Sequence, residues 1–197
     1  MEPVHIISGR GVPLNRSDVD TDQIIPSDWL KRVERTGFEK GLFSEWRDDR
    51  DFVLNREEHQ GANILVAGPN FGTGSSREHA VWAIQQHGFE AVVSPRFGDI
   101  FFNNSTKNGL VPVQVSAEVG QQLLDAIAAD PELEIVIDVE LRTIEVQGID
   151  LVESFPLDAS VQHKFLQGLD DIGLTLQHAD EITAYETRRP AWMPTSA

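Results

Sequence analysis

Apolar residues in the middle of the chain come in short runs separated by stretches of helical periodicity. Residues 63–67, with Ile64-Leu65-Val66 at their centre, 91–94 (Ala-Val-Val-Ser) and 110–115 are each mostly apolar without alternation, as suits strands buried on both faces. Between them the pattern predicts helices over 77–87, 98–107 and 116–129. Ser76 is a cap candidate for the first and Ser116 for the third, with Gly88 and Gly109 as stops. Strand and helix alternating in this way predict crossover connections and a largely parallel central sheet.

The flanks read differently. Residues 4–14 are extended, with Gly9 and Gly11 marking a bend or bulge. A polar turn over 15–22 runs into Gln23-Ile24-Ile25-Pro26, and 27–36 predicts a short helix or loop with Ser27 or Asp28 as cap. Residues 37–61 form a charged excursion studded with Phe38, Phe43, Trp46 and Phe52, with one helical turn expected over 42–46. After Pro131 the period changes to two. Residues 134–139 and 142–147 predict a hairpin closed by Glu140-Leu141, and 151–155 a further strand. Helices are expected over 158–169 and 179–187, before a Pro-bearing tail. The whole reads as one α/β domain over 1–197, with the excursion at 37–61 and a helical C-terminal arm at 157–190.

Composition narrows the function. The chain has 197 residues, 32 acidic and 16 basic, for a net charge of −16. Such a surface repels phosphate backbones, so nucleic-acid binding is excluded as an expectation and an anionic substrate needs a local cationic pocket. No apolar run approaches the roughly 20 residues of a membrane span. The first residues lack a basic start and an apolar core, so a cytoplasmic protein is expected. Cysteine is absent, which removes disulfides, thiolate nucleophiles and Cys-ligated clusters from this chain. The six histidines form no compact ligand spacing, so no metal site is expected here.

The chemistry concentrates between the strand at 63–67 and the helix at 77–87, in Gly68-Pro69-Asn70-Phe71-Gly72-Thr73-Gly74-Ser75-Ser76-Arg77-Glu78-His79-Ala80. A helix start offers unpaired N–H groups and partial positive charge. Gly72 and Gly74 let the backbone approach a ligand, Ser75 and Ser76 add hydroxyls, and Arg77 supplies a planar fork matched to a carboxylate. A P-loop would need a Lys after the glycines, a dinucleotide fingerprint a Gly where Arg77 stands, and a nucleophile elbow a Gly where Glu78 stands. None fits. The plainer alternative is that Ser76 only caps the helix and the glycines only turn the chain.

Residues 70–80 resemble the signature of the swivelling domain of the aconitase superfamily. Asp18-Val19-Asp20-Thr21-Asp22-Gln23-Ile24-Ile25-Pro26, the run 32–38 and the run 173–178 match the same group. Together they are similar to the small subunits of 3-isopropylmalate dehydratases, over nearly the full chain, the excursion being typical of the longer bacterial form. Thr73 stands where many relatives have Cys, and a Thr fits the turn sterically.

The resemblance implies a swivelling β/β/α-type domain that closes over a substrate held by a large partner subunit, which carries a [4Fe–4S] cluster. It implies conversion of 2-isopropylmalate to 3-isopropylmalate by loss and re-addition of water, in leucine biosynthesis. It makes Ser75 the base, with Ser76, Arg77 and the loop glycines Gly72 and Gly74 binding a substrate carboxylate. Asp22 becomes a catalytic-site carboxylate that orients a partner side chain, unless Asp20 and Asp22 merely form an Asx-type turn. Arg32 or Arg35 would read the substrate, unless these are solvated surface charges. His79 is expected to be structural or at an interface, His87 to complement its helix dipole, and Asn103 and Asn104 to pack or cap. Alternatives are a small subunit acting on homoaconitate or a methylated malate, and a free-standing anion-binding module.

Overall fold

The computed structural model describes residues 1–31, 34–190 and 192. The chain runs β1 (Ile6–Leu14), α1 (Thr21–Ile24), β2 (Ile64–Ala67), α2 (Glu78–His87), β3 (Ala91–Ser94) and α3 (Asp99–Asn108). It continues with β4 (Val111–Gln114), α4 (Ala117–Ala129), β5 (Glu134–Asp138), β6 (Thr143–Val146) and β7 (Leu151–Ser154). Three helices close it: α5 (Ala159–Gln167), α6 (Asp171–Leu176) and α7 (Ala179–Arg188). Among the described residues no helix is long and apolar enough to cross a membrane.

The seven strands lie in the order β4-β3-β2-β1-β5-β6-β7. From β1 to β4 every pairing is parallel; from β1 through β5 and β6 to β7 every pairing is antiparallel. The change happens within β1. Its first half, Ile6 to Arg10, pairs with β5, and its second half, Gly11 to Leu14, pairs with β2. A Cβ on Gly11 would stand 2.6 Å from Ile127 of α4 and 3.0 Å from Ile135 of β5. The bare glycine lets helix and strand close over the switch. The bend expected from Gly9 and Gly11 is this change of partner, and the hairpin expected after Pro131 continues the same sheet, with β7 added.

Alternation along the parallel strands divides two cores, as a period of two requires. Val12, Leu14, Leu65, Ala67 and Val92 face one side, under α2, α3 and the excursion. Ile64, Val66, Val93, Val111 and Val113 face the other, with Leu123, Leu124 and Ile127 of α4 and Phe165 of α5. Ser116 caps α4 by accepting from Val119 N–H at 3.2 Å, as its sequence predicts.

Three local expectations change. The end of the polar turn read over 15–22 and the start of the run that follows it form α1, whose capping box has Asp20 accepting from Gln23 N–H at 2.8 Å and Gln23 accepting from Asp20 N–H at 3.0 Å. Four residues show no periodicity. In the excursion the helical turns lie at Phe38–Gly41, Val53–Asn55 and Glu57–His59 rather than over 42–46. Phe43 has φ +50°, which no right-handed helix tolerates. Its ring stacks on Trp46 at 5.2 Å and meets Phe52 edge-on at 6.0 Å, and the Arg16 guanidinium sits 4.1 Å above Trp46. Lastly, α6 is hidden in the sequence by Gly173, a poor helix former; Asp170 caps it by accepting from Gly173 N–H at 2.6 Å.

His59 is buried at the end of the excursion, and its Nδ1 has no hydrogen-bond partner. Burial lowers its pKa, opposed by Glu58 and the Gly11 backbone and assisted by Arg56 and Arg10. His87 is lowered too, by desolvation first and by Arg47 second, opposed by Glu39, which disfavours the cation that would complement its helix dipole. A histidine that binds its proton less tightly when folded stabilises the fold above its unfolded pKa of about 6.5, and this is lost as pH falls. The unfolding midpoint is therefore expected to drop between about pH 7 and pH 5, with a flatter profile in His59→Leu. An equally steep variant profile would contradict this.

Candidate active site

The loop expected to carry chemistry leaves the carboxyl end of β2, where open parallel sheets hold ligands. Its base is fixed by backbone. Gly72 N–H donates to Val19 C=O at 2.7 Å, and Thr21 N–H donates to Thr73 C=O at 2.9 Å. On the other side Phe71 N–H donates to Arg96 C=O at 3.0 Å and Gly98 N–H to Phe71 C=O at 2.9 Å. The loop is thus a short extra strand between the 18–21 and 96–98 segments, bridged at Asp20–Thr73 and Phe71–Phe97. Ser94, fully buried, places its hydroxyl 2.8 Å from the carbonyls of Gly68 and Arg96, tying both loops to β3.

Gly72 has φ +75° and Gly74 has φ +91°, a region open at little cost only to glycine. A Cβ on Gly72 would also lie 2.2 Å from the Phe101 ring, which forms the floor beneath the loop. Beyond Gly74 the character changes from buried to exposed. Ser75 and Ser76 are exposed, and neither hydroxyl is engaged by a described residue. The Ser75 carbonyl accepts from the buried Thr21 hydroxyl at 3.0 Å.

α2 begins one residue later than the sequence predicts. Arg77 occupies the N-cap position with φ −125° and ψ 101°, and Ser76 makes no cap bond. The reason lies in the Arg77 side chain, which turns back toward α1. Its Nη1 donates to the Asp22 carboxylate and, at 3.4 Å, to the Ile25 carbonyl. The Arg77 side chain is 15% exposed and that of Asp22 55% exposed. The helix start therefore presents unsatisfied N–H groups, two free hydroxyls and a guanidinium held by one edge, a set suited to a carboxylate guest.

Of the residues singled out by sequence, Asp22, Gly72, Gly74, Ser75, Ser76 and Arg77 come together here. Arg35 does not join them: its guanidinium lies 5.6 Å from the Trp82 ring, over the outer face of α2, and its carbonyl accepts from Gln86 at 2.8 Å. Arg32 lies outside the described residues. His79 packs edge-on against Phe38 at 5.3 Å and Trp82 at 4.8 Å, a structural role. Asn103 and Asn104 offer backbone carbonyls to Thr106 and Asn108. Sequence reading missed Asn108, which accepts from Trp82 Nε1 at 3.0 Å and donates to Glu78 at 2.8 Å, clipping α3 to the first turn of α2. It also missed Thr21, although the Asp20-to-Gln23 spacing of a capping box was there to find.

The chain has no cysteine, and among the described residues no three His, Asp or Glu side chains are grouped to hold a metal ion. An iron–sulfur cluster has no donor set here.

The family model described as the aconitase C-terminal domain matches residues 1–118. A second, for the C-terminal domain of the 3-isopropylmalate dehydratase small subunit, matches residues 171–195. The chain is 59% identical over 197 residues to the 3-isopropylmalate dehydratase small subunit of Frankia casuarinae, covering 100% of both chains. It is 55% identical over 194 residues to that of Rubrobacter xylanophilus, covering 98% of each. A crystal structure of 3-isopropylmalate dehydratase from Methanocaldococcus jannaschii superposes with a TM-score of 0.65 at 26% identity, over 92% of this chain and 99% of that one. The chain belongs to the family of 3-isopropylmalate dehydratase small subunits.

The floor under the loop can be tested by stability. Gly72→Ala adds both backbone strain and a clash with Phe101, and is expected to lower the unfolding free energy by roughly 2–4 kcal/mol. Gly88 has φ +112° but no atom within 4 Å of a new methyl, so Gly88→Ala should lose only about 1 kcal/mol. Equal losses in urea titrations would contradict the assigned floor.

Proposed function

We propose that this chain is the small subunit of a heteromeric hydro-lyase that converts 2-isopropylmalate to 3-isopropylmalate in leucine biosynthesis, acting in the cytoplasm as one swivelling domain with a large subunit. The observation that carries the proposal is the pinned loop that exposes Ser75 and Ser76 beside Arg77, in a chain whose relatives bear that name along their full length.

Dehydration removes a proton from the carbon next to a carboxylate and a hydroxide from the adjacent carbon. As the proton leaves, electron density moves onto that carboxylate, and the barrier falls where donors already point at it. Ser75 takes the proton on Oγ, its anionic form favoured by the N-terminus of α2. Ser76 and Arg77 hold the substrate carboxylate, and the Asp22 carboxylate fixes the guanidinium through Nη1, leaving its other N–H groups for the substrate. Re-addition of water to the isopropylmaleate intermediate with the opposite regiochemistry returns the proton from Ser75. A [4Fe–4S] cluster, for which this chain has no ligands, belongs on this reading to the large subunit and supplies the Lewis acid for the departing hydroxyl. Arg32 or Arg35, from the segment that would read the substrate side chain, would bind a further substrate carboxylate; Arg35 would have to leave Trp82 to do so.

The test is Ser75→Ala assayed with the large subunit. The turnover rate is expected to fall by about 10²–10⁴-fold while KM changes little, because Arg77 still binds the carboxylate. Full activity would remove Ser75 as the base. Faster turnover of homoaconitate than of 2-isopropylmalate by the same pair would remove the leucine assignment.

A further inference from the structure

We propose that Thr21 is a positioning residue for the reaction: its buried hydroxyl, donating to the Ser75 carbonyl, sets the direction of the Ser75 side chain. This rests on the reading of Ser75 as the base. Thr21 is 2% exposed, and its Oγ1 lies 3.0 Å from the Ser75 carbonyl oxygen. Its N–H meets the Thr73 carbonyl at 2.9 Å. One residue therefore holds the peptide carbonyls on both sides of Gly74, whose φ is +91°.

The hydroxyl has reason to reach out. A Thr inside a helix bonds back to the carbonyl four residues earlier. Thr21 is the first residue of α1 and has no helical carbonyl behind it, so its acceptor must come from elsewhere. The capping box of Asp20 and Gln23 holds α1 in place, and the next residue, Asp22, holds Arg77. A single short helix thus grips the tip on both sides of Ser76: the base through its carbonyl and the clamp through its guanidinium.

Stability and catalysis separate here. The Ser75 residue is exposed and Val matches Thr in shape, so Thr21→Val is expected to keep the fold. What Thr21→Val loses is direction. A base displaced by about 1 Å can lose ~10²-fold in rate.

The experiment compares Thr21→Val, Thr21→Ser and Ser75→Ala, each assembled with the large subunit and assayed on 2-isopropylmalate. Thr21→Val is expected to lower kcat about 10- to 100-fold with KM, assembly and thermal midpoint close to wild type. Thr21→Ser, which keeps the hydroxyl, is expected to recover most of the loss. Wild-type kcat in Thr21→Val beside an inactive Ser75→Ala would overturn the proposal and leave the base reading intact. So would a change confined to KM, a loss that Ser fails to rescue, or a Val chain that no longer assembles. Full activity in Ser75→Ala would overturn the base reading and this proposal with it.

Discussion

The hydrogen bonds that fasten residues 71–73 between two neighbouring backbone segments are what the rest of the site depends on. Gly72 N–H to Val19, Thr21 N–H to Thr73 and the paired bonds of Phe71 with Arg96 and Gly98 turn a glycine-rich loop into a rigid strip. Phe101 fills the space beneath Gly72, so the strip cannot sink. The chain beyond Gly74 is consequently free to be exposed without being loose. Its serines face solvent while their backbone stays tied to α1. Preorganisation of this kind is where catalytic donors gain their advantage, since little reorganisation remains at the moment charge moves.

The strip is held from two directions because the sheet brings them together. β1 delivers residues 15–22 to the carboxyl end of β2, and the parallel crossovers deliver the 95–98 loop to the same end. The switch of β1 from β5 to β2 at Gly11 lets one strand serve both the antiparallel layer and the parallel one. Charge then restricts where an anion can land. With a net charge of −16, most of the surface repels a dicarboxylate, but beyond about 8 Å that repulsion is screened at physiological salt. On the proposed function, the α2 N-terminus and Arg77 offer the local positive charge that such an anion needs at close range.

Much of this architecture can be read from the chain before folding is considered. Strands buried on both faces appear as unbroken apolar runs, and Gly88 and Gly109 stop helices where expected, so the order from β2 to α4 is legible. Elements of one turn are not: α1 lacks a period, α6 contains Gly173, and Phe43 breaks the turn expected over 42–46. The site divides in the same way. Gly72, Gly74, Ser75, Ser76 and Arg77 are contiguous, and their types announce an anion cradle. The bond from Thr21 to Ser75 and that from Arg77 to Asp22 join residues 54 and 55 apart, and no spacing rule reveals them. The cap expected of Ser76 fails for the same reason: the distant Asp22 draws Arg77 into the cap position.

An exposed serine pair, an arginine held by one edge and a chain without cysteine are what the proposed half of a reaction centre requires. The direct measurement is the interconversion of 2-isopropylmalate and 3-isopropylmalate by this chain alone, by the large subunit alone and by their equimolar mixture. Turnover only in the mixture is the predicted result. Comparable turnover by either chain alone would contradict a site divided between them.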